Sequence, residues 1–151
     1  MSKLHSGHQM STCAKTVSAH SDSLLLVARL FLAAVFLYSG AVKLTGWRAA
    51  IAEFDLLGMP VPDLAVPAVV AVQLLGGFAM VLGWRFRAAA AVLAAFTVAA
   101  TLIGHPFWAF AGAEFQRQAT TALEHLAIVG GFLLLTITGP GRFSLQSQGR
   151  A

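Results

Sequence analysis

The chain has 151 residues, 58% of them hydrophobic and 11% charged, with a formal net charge of +4 and a mean hydropathy of +0.76. A soluble domain carries about 25% charged residues, so the composition leaves a water-soluble bundle of all-apolar helices as a remote alternative to a membrane protein. The ten Lys and Arg residues are scattered, with no basic stripe interleaved by aromatics, which argues against a nucleic-acid partner.

Residues 1–23 lack the apolar core of about 7–15 residues that a cleavable signal peptide needs. Rich in Ser, Thr and His, they read as a disordered cytoplasmic tail, with Met10 an alternative start to Met1. Cys13 is the single cysteine, so no disulfide forms within the chain and no C-x-x-C motif exists. It reads as an incidental tail thiol; thiol chemistry needs a partner protein or Cys13 alone. His5, His8 and His20 are too sparse for a metal tract.

Four apolar runs follow, at 24–44, 64–82, 86–104 and 122–138. A hydrocarbon core of about 30 Å needs about 20 apolar residues in a helix. Lipid offers no partner for open backbone groups, so each run must be helical. The expected fold is an all-α integral membrane four-helix bundle over residues 24–145, with a short C-terminal tail at 146–151. The first span is expected to start near Ser21-Asp22-Ser23, which suit an N-cap, and to end at Gly46. Residues 45–58 have apolar residues at helical spacing and read as a short interfacial helix. Pro60, Pro62 and Pro67 punctuate the start of the second span, which carries Gln73 and Gly76-Gly77. Gly83-Trp84-Arg85 is short enough only for a hairpin. The third span is rich in alanine, which favours close helix packing, and stops at Gly104-His105-Pro106. Residues 105–121 read as a loop, aromatic at Phe107, Trp108 and Phe110 and polar at Glu114, Gln116, Arg117 and Gln118. The fourth span ends at Thr138-Gly139-Pro140-Gly141.

Basic residues near span ends set topology. With the N-terminus inside, Lys3, Lys15, Arg29, Arg85, Arg87, Arg142 and Arg150 lie on the inner side, against Lys43, Arg48 and Arg117 on the outer side. This excess predicts both termini in the cytoplasm. Trp84 then lies at the inner interface, and Trp47 and Trp108 at the outer one.

Ionisable residues inside a span are functional candidates. Arg29 either snorkels to the interface or binds a lipid headgroup or a carboxylate. Lys43 lies on nearly the same face, about 21 Å further along the axis, with Ala33, Phe36 and Gly40 on the shared stripe. Tyr38, Ser39 and Gly40 make that half of the first span unusually polar. Gln73 sits mid-span, where an amide either bonds across helices or contacts a buried ligand such as a quinone. His105, Glu114, Glu124 and His125 gather at the same ends of the last two spans. They read as helix-end polar residues, a proton-active or ligand site, or a metal site whose spacing matches no signature. No nucleophile elbow, P-loop, dinucleotide fingerprint or zinc-binding helix motif occurs, and no paired intramembrane histidines for two haems.

These residues together resemble the DoxX family. Arg29-Leu30 followed by Tyr38-Ser39-Gly40-Ala41-Val42-Lys43-Leu44 resembles that family's first helix, and Gly58-Met59-Pro60-Val61-Pro62 its G-x-P loop. Gly76-Gly77 with Leu82-Gly83-Trp84-Arg85-Phe86-Arg87-Ala88-Ala89 is similar to its second hairpin. Ile128-Val129-Gly130-Gly131-Phe132-Leu133-Leu134-Leu135 and Gly139-Pro140-Gly141-Arg142-Phe143-Ser144-Leu145 resemble its last helix and closing segment.

The resemblance covers about residues 24–145 and implies a four-helix protein of the bacterial inner membrane. Some such proteins are subunits of a thiosulfate:quinone oxidoreductase. Others are linked to membrane complexes with a superoxide dismutase and a sulfurtransferase in oxidative-stress defence. Members often have Glu where this chain has Gln73, and that exchange removes an intramembrane charge. The expectation is a membrane component of a redox or oxidative-stress-related complex, partnered by a soluble redox enzyme or second membrane subunit. Alternatives are a quinone-interacting oxidoreductase subunit and, further off, a small transporter built as a homo-oligomer. Arg29, Tyr38, Lys43, Gln73, His105 and His125 are the candidate ligand-binding residues; quinone is the candidate cofactor, and no metal is expected.

Overall fold

The computed structural model describes residues 3–148, with side chains from His20 to Gln146. The expectations for His5, His8, Met10 and Cys13 fall outside the described side chains, and those for Met1 and Arg150 outside the described residues. The elements are α1 (Lys3–Thr45), α2 (Trp47–Leu56), α3 (Pro62–Leu82), α4 (Phe86–Gly104), a 3₁₀ turn (Phe107–Ala109), α5 (Gly112–Thr138) and α6 (Leu145–Gln148). Four helices are long and apolar enough to cross a bilayer: His20–Thr45 within α1, then Pro62–Leu82, Phe86–Ala109 and Gly112–Thr138.

Two boundaries differ from expectation. Helix α1 begins at Lys3, so Ser21, Asp22 and Ser23 lie inside it rather than at its cap. No proline interrupts that stretch, and an established helix propagates at low cost where nothing breaks its ladder. Asp22 instead accepts the Arg142 backbone N–H at 3.0 Å. Helix α5 begins at Gly112 rather than at 122, so the polar half of the expected loop forms its first turns. The reason is local: Arg117 pairs with Glu114 at i,i+3, and Gln118 bonds Glu114 at i,i+4.

Other expectations hold. Helix α2 is the short helix foreseen after Gly46, and it docks on α3 where Ala50 and Phe54 meet Val66 and Val70. Pro62 takes the first turn of α3, where its missing N–H costs nothing, while Pro67 lies inside the helix and removes one ladder bond. Gly83 ends α3 in the left-handed region (φ +65°), and the Trp84 N–H closes back on Ala79 O at 3.0 Å.

The bundle is apolar outside and partly polar inside. Phe31, Leu75, Phe78, Leu133 and Ile137 are exposed, whereas Arg29, Gln73, Thr97, Gln118 and Ser144 are buried. That inversion suits lipid, which solvates the aliphatic outer face and leaves polar groups to pair within. Around the bundle the order is α1, α3, α4, α5. Phe36 holds the core together, edge-on to Phe96 and tilted against Phe132. Helices α1 and α3 touch closely because Gly40 faces Leu74 and Gly77 faces Leu37; α3 meets α4 where Gly76 faces Leu93. The seam between α1 and α5 is the thinnest. It closes at Leu32 with Gly131 and at Phe36 with Phe132. Towards Lys43 the two helices line a cavity instead.

Candidate ligand pocket

The polar residues fall into two separate groups. The first surrounds Arg29, which has no exposed surface. Its guanidinium donates to Met80 O (3.0 Å) and Val81 O (2.7 Å) at the end of α3, and to Pro140 O (2.8 Å) and Phe143 O (2.7 Å) after α5. It also lies 5.4 Å from the Phe86 ring centroid. Gly83 and Ser144 crowd it: a Cβ on Gly83 would lie 2.8 Å from Arg29 Nη2 and 2.4 Å from Ser144 Cβ. Arg29 therefore neither snorkels nor meets a carboxylate. It serves carbonyls at the C-terminal end of α3 and in the segment after α5, and so ties the closing segment to the bundle.

The second group lines a cavity of about 360 Å³ between α1, α3, α4 and α5, with α2 across its end. Val35, Phe36, Phe96, Ile103 and Ile128 give it apolar walls. Ser39, Lys43, Glu53, Gln73, Thr97, His105 and His125 supply the polar atoms. Of the sequence candidates, Lys43, Gln73, His105 and His125 thus meet in one place. Arg29 is elsewhere, and Tyr38, 75% exposed, points out of the bundle.

At one side of the cavity Ser39 Oγ accepts from Lys43 Nζ (3.2 Å) and from Gln73 Nε2 (3.1 Å). Gln73 is 5% exposed, and its Oε1 has no donor. A buried carbonyl left unserved costs about 1–3 kcal/mol, and Gln73 bears that cost at the edge of the cavity it lines.

At the other side stand the two histidines, ring centroids 5.2 Å apart at a steep angle. The Thr101 hydroxyl lies 2.7 Å from both Thr97 O and His125 Nδ1. Gln118 Nε2 donates to Glu114 Oε1 (2.8 Å), so Gln118 Oε1 accepts from His105 Nδ1 (2.8 Å), which leaves His105 Nε2 as an acceptor. Glu124 is exposed and outside this network. Among the described residues no group of three His, Cys, Asp or Glu side chains is placed to hold a metal.

Sequence reading passed over Glu53, Thr97, Thr101 and the ligand-side place of Ser39. A signal was present for three of them. Thr97, Thr101 and His105 recur every fourth residue, which stacks them along one helix face, and Ser39 precedes Lys43 by the same interval.

A family model described as DoxX matches residues 24–106. Two Escherichia coli K12 proteins are similar to the chain. Inner membrane protein YphA is 33% identical over 125 residues, covering 83% of this chain and 89% of its own. Inner membrane protein YqjF is 33% identical over 124 residues, covering 81% and 88%. No solved structure matches the chain.

Proposed function

The chain belongs to the DoxX family, and from that premise we propose that it is an inner-membrane component of a redox system which holds the ring of a quinone-class ligand in the cavity beside Gln73. The single observation that carries this reading is a cavity inside the bundle whose apolar walls carry polar side chains from facing helices, Gln73 and Lys43 among them. The volume falls within the range of small-molecule sites, about 300–1,000 Å³. Its polar atoms form two sets, Ser39, Lys43 and Gln73 on one side and His105 and His125 on the other. A six-membered ring with oxygens at opposite ends needs such a pairing, with apolar walls for its faces.

The thin seam between α1 and α5 suits entry of a ligand dissolved in the bilayer. With both termini in the cytoplasm, the Lys43 end of the bundle faces outward. The electrons come from, or go to, a partner: a soluble redox enzyme or a second membrane subunit.

The test is to purify the protein in mild detergent, extract it with organic solvent and measure bound quinone by mass spectrometry. The reading predicts near-stoichiometric quinone with the native chain and at least tenfold less with Gln73→Leu or Lys43→Ala. Equal, trace amounts in all three would overturn it.

A further inference from the structure

The end of the bundle that carries Arg29 also gathers exposed arginines from two distant parts of the chain. Arg29 binds the carbonyls of Met80 and Val81 on one side and of Pro140 and Phe143 on the other, which sets the turn between α3 and α4 against the closing segment. Two more contacts hold them there. Gln146 Oε1 accepts the Phe86 N–H at 3.3 Å, and a Cβ on Gly83 would lie 2.4 Å from Ser144 Cβ. Arg85 and Arg87 from the turn and Arg142 from the closing segment therefore share one rim, and all three are exposed. The guanidinium of Arg85 lies 6.0 Å from the Trp84 ring centroid, and that of Arg142 5.1 Å from the Phe143 ring centroid.

The rim is positive. Neither Arg85 nor Arg87 meets a carboxylate among the described residues. Asp22 is the acid here, and its Oδ1 accepts the Arg142 backbone N–H at 3.0 Å. Glu53, Asp55, Asp63 and Glu114 lie at the opposite end of the bundle. The rim is also apolar: Leu82, Trp84, Phe143 and Leu145 are all exposed. Helix α3 ends at Leu82 and α4 begins at Phe86, so these side chains stand where the spans leave the hydrocarbon. A soluble anion uses the charge alone. A phospholipid uses both features, its phosphate at the guanidiniums and its acyl chains along the helix ends.

We propose that this rim is a docking surface for anionic phospholipid headgroups, with Arg85, Arg87 and Arg142 as the phosphate-binding side chains. It is independent of the cavity and of what occupies it.

The test places the full chain in vesicles of phosphatidylcholine and phosphatidylglycerol, with bromine on the acyl chains of one lipid or the other to quench tryptophan on contact. Trp47→Phe with Trp108→Phe leaves Trp84 at the rim as the reporter. Trp47→Phe with Trp84→Phe leaves Trp108 at the opposite end. The proposal predicts that Trp84 reports phosphatidylglycerol over phosphatidylcholine by at least about fivefold, the contribution of one arginine beside an anionic surface, while Trp108 reports the two lipids within about twofold. Arg85→Gln, Arg87→Gln and Arg142→Gln together should bring Trp84 to within about twofold of parity. The comparison of Trp84 with Trp108 needs no arginine variant, so it decides the proposal even if the glutamine protein does not fold. Parity at Trp84 with the arginines in place, or an equal preference at Trp108, overturns the proposal. Loss of the preference on adding inorganic phosphate at constant ionic strength would assign the rim to a soluble anion and overturn it as well.

Discussion

Arg29 holds its charge inside the bundle and answers it with four peptide carbonyls and the face of the Phe86 ring. That arrangement makes it a structural clamp. Arg29→Met would leave carbonyls at Met80, Val81, Pro140 and Phe143 without their donor and should cost about 3–5 kcal/mol. Arg29→Lys should recover little, because an ammonium cannot reproduce the planar fork that reaches two chain segments at once. Thermal unfolding in detergent checks both, with the native midpoint as reference. Gly83→Ala should be comparably damaging. The site requires φ +65°, and the added Cβ meets Ser144 and Arg29. The importance of Arg29 was legible as an intramembrane charge. Its role was not, because its acceptors lie 51 to 114 residues away in the chain and are backbone atoms without a sequence signature. Gln73 was legible in the same limited way: position and type stood out, but only the fold shows that one amide atom is served and the other is not.

At the scale of elements, the spans were readable because lipid imposes a length and forbids open backbone groups. The boundaries of α1 and α5 were not. Both extend into polar sequence where composition suggests tail or loop, and there local pairs such as Glu114 with Arg117 decide the outcome. Helix contacts depend on small residues. A Cβ on Gly77 would sit 2.8 Å from Leu37 Cδ2. Gly77→Ala should destabilise by about 1–3 kcal/mol, and adding Leu37→Ala should relieve the clash while opening a small cavity. A double-mutant cycle of unfolding midpoints should therefore show coupling between the two sites. Helix α4 has a more specific duty. Thr101→Val removes the hydrogen-bond partner of His125 Nδ1, frees the ring to turn, and should lower bound quinone several-fold without changing helicity.

For the whole molecule, orientation and ligand site are linked. If both termini are cytoplasmic, the cavity end faces outward. In a Cys13→Ser background, Trp108→Cys should react with a membrane-impermeant maleimide on intact cells, and Trp84→Cys only after permeabilisation. The reverse pattern would turn the molecule over and move the pocket to the cytoplasmic side. The central claim is that a membrane-soluble ring occupies the cavity between α1 and α5 towards Lys43. Its most direct test is photo-labelling of the nanodisc-embedded protein with an azido-quinone, followed by peptide mapping. The account predicts label concentrated on residues 35–43 and 69–73, and strongly reduced by Gln73→Leu. Label confined to the outward faces at Leu126, Leu133 and Ile137, and unchanged in that variant, would contradict it.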